Sequence, residues 1–163
     1  MTTDRDAGGM VVRVAEATLS RGERLAREAV PREHGGVLLG WWEADSVAVV
    51  AELLSVPDPA AGPLRYRRRH APAQARLDEY LLTRDDPRCG YIGEWHSHPA
   101  PQGPSRIDRA ELSALVRQTG KPVALIVLAL RRGGGLTVHG LVGRPRRLRR
   151  AVIEIASIER LTP

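Results

Sequence analysis

The chain has 163 residues, enough for one domain with a normal core, and its 42% hydrophobic content suits a globular protein. Its formal net charge is +6 with a pI of about 10.6, and it has no phenylalanine, so leucine, valine, isoleucine and alanine must fill the interior. The single cysteine, Cys89, excludes an intrachain disulfide, no run approaches the roughly 18 apolar residues of a membrane span, and the polar start lacks a signal-peptide core. These features lead us to expect a cytoplasmic protein with no membrane association.

In chain order, residues 1–9 are expected to form a disordered tail before a single domain over 10–163. Residues 10–14 read as a strand and 18–29 as a helix, with Leu19, Leu25, Ala26, Ala29 and Val30 on one face. Pro31 stops that helix. Glu33 stands at the entrance to an apolar strand over 36–42. Asp45 marks a turn, and residues 47–56 return as the hairpin partner. Residues 57–72 read as a loop, whose run Arg65-Tyr66-Arg67-Arg68-Arg69-His70 either borders a cleft or is a solvated turn. Residues 73–83 read as a helix with Leu77, Tyr80 and Leu81 inward. Cys89 reads as a small buried residue.

The stretch Gly93-Glu94-Trp95-His96-Ser97-His98-Pro99 carries the chemistry. Its β-prone start favours a strand ending at Pro99, which cannot continue a ladder. On a strand, residues two apart share a face, so His96 and His98 can meet one metal ion; on a helix they would diverge by about 200°. After a Pro/Gly-rich loop, Ser105-x-x-Asp108 reads as a helix start with Ser105 as N-cap. Asp108, in the first turn, can swing back onto the histidines. Two histidines and one carboxylate leave a fourth tetrahedral position open, the pattern of a catalytic zinc site. Glu94 shares the histidine face and is read as a structural or imidazole-supporting residue, while Trp95 and Ser97 point to the packed side. His34, His70 and His139 have no partner at ligand spacing.

His96-Ser97-His98-Pro99 followed by Ser105-x-x-Asp108 resembles the signature of the JAMM (MPN+) metalloproteases. The upstream Arg32-Glu33-His34-Gly35-Gly36-Val37-Leu38-Leu39-Gly40 is similar to that family's glutamate segment, about sixty residues before the histidines. The spacer from His98 to Ser105 is one residue shorter than the commonest family form, which implies a tighter loop. Gly35 stands where a cysteine is often seen. The resemblance spans residues 11–143 and points to the stand-alone prokaryotic members. It implies an α/β MPN (cytidine-deaminase-like) fold, a mixed central β-sheet flanked by helices. It also implies Zn2+ held by His96, His98 and Asp108, with Glu33 as general acid/base and Ser105 supporting the oxyanion. The implied activity is hydrolysis of the bond after the C-terminus of a ubiquitin-like protein, by deconjugation or precursor trimming. The partners it implies are that protein or its conjugate, and proteins of E1/E2-like conjugation systems. An exposed strand edge near the site would suit such a tail. The alternative is a non-catalytic MPN scaffold. A zinc deaminase would need a Pro-Cys-x-x-Cys segment, which one cysteine cannot supply.

Beyond the site, residues 108–118 continue the helix with Leu112, Leu115 and Val116 inward. Residues 122–130 form a continuous apolar strand, expected to be central. A glycine turn at 133–135 leads into a strand over 136–142. The glycine run lacks a following Lys-Ser/Thr, so it is no phosphate loop. Residues 144–150 are strongly basic; nucleic-acid binding there is not favoured. Residues 151–158 fit a strand or a helix equally.

Overall fold

The computed structural model describes residues 8–68 and 70–163. Residues 1–7 of the expected tail, and Arg69 of the basic run, lie outside the described residues. The elements follow as β1 (Met10–Ala15), α1 (Glu16–Ala29), β2 (Gly35–Ala44), β3 (Val47–Ser55), α2 (His70–Leu82) and β4 (Gly90–His98). Then come α3 (Arg106–Thr119), β5 (Val123–Leu130), β6 (Leu136–Arg146) and β7 (Arg150–Leu161).

The expected α/β composition and mixed sheet stand, and the sheet closes on itself instead of forming a flat central layer. Seven strands close into a barrel in the order β1-β3-β2-β4-β5-β6-β7, with β7 returning to β1. Closure comes from the chain ends: Met10 lies beside Ala156 in a parallel pair that runs to Ala15 beside Leu161. Residues 151–158 are therefore strand, as their β-branched content allows.

Strand alternation divides the core. Val12, Val14, Leu38, Leu53, Trp95, Ile126 and Leu128 face inward, where Leu19 and Leu25 of α1 pack. Gly22 lets α1 approach the strands; a methyl group there would lie 2.7 Å from Leu128 Cδ1. On the outer face α3 lays Leu112 and Val116 over Val123, Leu125 and Val127 of β5. Buried on both faces, β5 reads as an unbroken apolar run. α2 sets Ala73 against Val37, Leu39, Leu54 and Val56, with Cys89 buried in the same cluster. Its inner face starts at Ala73 and leaves Leu81 exposed, and it begins at His70, inside the segment expected as loop. Val30 likewise turns out to solvent.

β4 and β5 run parallel, joined by α3, and β2 pairs antiparallel with β4 on the other side. His98 is the last residue of β4, so the histidines lie at the carboxyl end of this parallel pair.

Candidate metal centre

Strand β4 places His96 and His98 on the outer face and Trp95 and Ser97 on the inner one. Trp95 is fully buried and donates its indole N–H to the Leu54 carbonyl at 3.0 Å. Ser97 is also fully buried, and its backbone N–H donates to the His34 carbonyl at 2.7 Å. Its hydroxyl accepts the His34 N–H at 3.0 Å. The residue after Glu33 is thus fastened at both polar groups to the residue between the histidines. The Glu33 N–H in turn donates to the Gly62 carbonyl at 2.8 Å. Sequence reasoning set Ser97 aside as a packing residue and missed this link; its place between the two histidines was the available signal.

The same register explains Gly35, which pairs with His96 across β2 and β4. A methyl group there would lie 2.3 Å from the Trp95 carbonyl oxygen and 2.9 Å from His96 Cβ. Any side chain at position 35 would press on the strand that carries the histidines.

Asp108 arrives through helix capping. The Ser105 hydroxyl accepts the Asp108 N–H at 3.1 Å, and Asp108 Oδ2 accepts the Ser105 N–H at 2.6 Å, a complete capping box. The other carboxylate oxygen, Oδ1, lies 3.1 Å from His96 Nε2. His98 Nε2 lies 3.5 Å from Asp108 Oδ2, 3.7 Å from Glu33 Oε1 and 3.2 Å from His96 Nε2. Glu33, His96, His98 and Asp108 are all buried. Ser105 serves as the helix N-cap and lines the cavity beside them.

Two observations test this donor set against a metal ion. Ligand atoms bound tetrahedrally at about 2.0–2.1 Å from zinc stand about 3.3 Å apart, close to the separations here. Second, the His98 Nδ1 lies 2.8 Å from the Gln102 carbonyl, which can only accept. Nδ1 therefore carries a hydrogen, which leaves Nε2 as the atom that faces two carboxylates and a second imidazole, where a neutral ring would offer a metal its lone pair. Two carboxylates around that nitrogen call for a positive charge between them, which the Nε2 proton supplies in the metal-free site and a bound ion would supply in its place, and the carbonyl holds the ring as it holds metal-ligating histidines. Glu33 with His96 and His98 also forms a group whose ligand atoms lie within 4.8 Å of one another, so Glu33 is near enough to reach the same ion.

The electrostatics agree. Burial pushes the Glu33 carboxyl up, with the His96 and His98 charges only partly opposing. Burial also pushes Asp108 up, but hydrogen bonds from His96 and His98 outweigh it and hold that carboxyl far below the usual range. Burial lowers His98; its bonds to Asp108 and Gln102, with the Glu33 charge, reverse this and leave it raised. The two carboxylates are thereby pushed apart, the pattern that divides a charge-holding group from a proton carrier.

The centre lies in a cavity of about 400 Å³. Leu64, Arg65, Tyr66 and Arg67 wall one side, so the basic run does border the cleft. Buried Asp58 shapes that loop by accepting the N–H groups of Ala60 and Arg67, each at 3.0 Å. Leu64 is 81% exposed and Ile107 67% exposed at the mouth. Glu111, one turn beyond Asp108, also lines the cavity, and burial followed by the Asp108 charge raises its carboxyl. Glu94 is drawn off the imidazoles into an ion pair with Arg68. His34 bonds to the Ser55 hydroxyl at 2.7 Å instead of joining the centre.

Fold and site together define an α/β domain with a buried candidate metal centre. Residues 15–138 match the family model for prokaryotic homologs of the JAB domain, and the chain belongs to that family. A probable metalloprotease, y4qB, of Sinorhizobium fredii is 31% identical over 108 residues, a match covering 63% of this chain and 63% of that protein. The chain thus matches less than two thirds of that relative's length. Among solved structures, a Desulfitobacterium hafniense protein superposes with a TM-score of 0.59 at 15% identity, covering 93% of this chain and 95% of that one. A Salinibacter ruber protein gives 0.58 at 20% identity over 91% of each chain. These two likenesses speak to the fold alone.

Proposed function

We propose that the chain is a zinc-dependent peptidase or isopeptidase that hydrolyses the bond after the C-terminus of a ubiquitin-like protein. The observation that carries the reading is the convergence of His96, His98, Asp108 and Glu33, the last three lining a cavity, in a chain of the JAB family. His96, His98 and Asp108 would hold the ion. When bound, zinc supplies Lewis-acid polarisation and activates water near neutral pH. Glu33, its carboxyl raised by burial, takes a proton from the attacking water and delivers it to the leaving amine. Ser105 uses an oxygen lone pair to cap α3, which leaves its O–H free to donate to the oxyanion. Glu33 as a fourth ligand is the competing arrangement, favoured by its nearness to His98.

The ubiquitin-like substrate, its E1/E2-like conjugation partners and the fold's relation to cytidine deaminases rest on the family resemblance, and the cytoplasmic setting on the composition and cysteine usage of the sequence. No described helix is long and apolar enough to cross a membrane.

The test is the zinc content of the wild type, Glu33→Gln and His98→Ala proteins, with cleavage of a ubiquitin-like C-terminal fusion. One zinc per chain, kept in Glu33→Gln and lost in His98→Ala, with cleavage lost in both, supports the assignment. Zinc lost in Glu33→Gln makes Glu33 a ligand. No zinc in the wild type overturns the reading in favour of a scaffold.

A further inference from the structure

The barrel is closed, but the β6–β7 ladder that helps close it ends short of both strands' ends near the metal centre. β6 and β7 pair antiparallel from Gly140 with Ala156 to Arg146 with Arg150, and the pairing stops there. Residues 136–139 of β6 continue beside β5, and residues 157–161 of β7 continue beside β1. On the sides that face each other, neither stretch has a strand partner. A seam of about 560 Å³ opens between them.

Its lining is basic and apolar with no acidic side chain. Arg109 of α3 and Arg131 after β5 reach it, and neither guanidinium has a carboxylate partner among the described residues. Arg160 lies at the far end and is shared with Glu16 at 3.0 Å. Leu136 and Ile158 supply apolar wall, and Ile155 is 76% exposed beside them. The seam adjoins the centre directly. Pro104, in the loop between His98 and Ser105, lines it, and the imidazole of His139 lies within 4 Å of where a side chain on Gly103 would begin.

We infer that this seam binds an extended acidic segment of the substrate, which adds as a strand to the free edge of β6 while Arg109 and Arg131 take its carboxylates. The inference rests on the peptidase reading and adds a substrate class to it. A free strand edge recognises extended backbone whatever its sequence, and alternate side chains then meet the two walls. Unpaired arginines favour carboxylates, which they bind in a bidentate fork. No acidic lining residue competes.

The probe is a synthetic peptide alternating glutamate with valine, beside its lysine counterpart and a version N-methylated at alternate amides. Binding to the metal-loaded full chain is read by fluorescence anisotropy, with folding checked by thermal unfolding. The glutamate peptide is expected to bind, the lysine peptide not. The Arg109→Glu/Arg131→Glu protein should bind the glutamate peptide about tenfold more weakly and gain affinity for the lysine peptide. That gain keeps the test open even if the variant is less stable. Equal binding of the glutamate and lysine peptides, or no reversal in the variant, overturns the charge assignment. Full binding by the N-methylated peptide overturns strand addition. Fusions with acidic and neutral flanks then separate this idea from the one beneath it. A lower KM for the acidic flank supports it, and cleavage without any KM difference overturns the seam alone. Acidic-peptide binding with no cleavage of any fusion overturns the peptidase reading and leaves the seam as a peptide site.

Discussion

Ser97 shows how a residue can act on the centre without facing it. Its hydroxyl and N–H hold both polar groups of His34, and through them the backbone that carries Glu33. Ser97→Ala leaves the His34 N–H without its acceptor at a part-buried position before β2, which costs about 1–3 kcal/mol. The expected outcome is a lower urea midpoint and slower cleavage with zinc content unchanged, because the histidines stay in place. Loss of zinc in this variant would mean that Ser97 positions the ligands themselves. His34 gives a second residue-scale prediction. Burial first, and then the Arg32 charge, lowers its pKa from 6.5. The unfolded chain therefore takes up the proton more readily than the folded one. The His34 contribution is present above about pH 6.5 and is lost as pH falls through the lower, folded-state value. His34→Gln should flatten the fall in unfolding free energy between neutral and mildly acidic pH; an unchanged slope would remove His34 from the acid response.

At the scale of the element, the first turn of α3 does two jobs with one serine, and a substitution can separate them. Ser105→Ala removes the cap and should cost about 0.5–2 kcal/mol. Ser105→Asp restores a good cap but offers a carboxylate where a hydroxyl donor is needed. Thermal unfolding should show stability lost in the first variant and recovered in the second. Turnover should be depressed in both; recovery with the aspartate would confine Ser105 to a structural role. This element was legible from sequence because its signals are local: a cap residue three before an acidic one, and two histidines at strand spacing. The chain folds them as those rules require. What escaped the sequence is what distant segments decide. Barrel closure depends on Met10 meeting Ala156, a pairing that no local pattern encodes. The apolar residues of 151–158 fit either period until β1 and β6 flank them. Glu94 sat correctly on the histidine face, but its partner, Arg68, comes from a loop with no periodicity to read. The shaping of that loop by Asp58, and with it the placing of Leu64 at the cavity mouth, was equally out of reach.

At the scale of the whole molecule, the centre adds a cross-link between three segments that already pack on one another through the β2–β4 ladder and the seat of α3 on β5. Glu33 precedes β2, the histidines end β4, and Asp108 opens α3. An ion bound by these donors in the folded chain alone adds stability to the entire fold, about 4 kcal/mol at a free concentration a thousandfold above its dissociation constant. Without it, His98 Nε2 lies 3.5 and 3.7 Å from two carboxylates whose charge only a proton on the imidazoles can offset. A strong chelator should therefore lower the melting temperature of the wild type, and added zinc should restore it. His98→Ala should melt at one temperature with or without chelator. Glu33→Gln should keep the zinc-dependent shift if Glu33 carries protons and lose most of it if Glu33 is a ligand. Protons compete with the ion for His96 and His98, so the shift should shrink as pH falls below the histidine range. Melting curves with and without zinc at neutral and mildly acidic pH read all of these at once. A shift independent of pH would place the ion on groups other than these histidines.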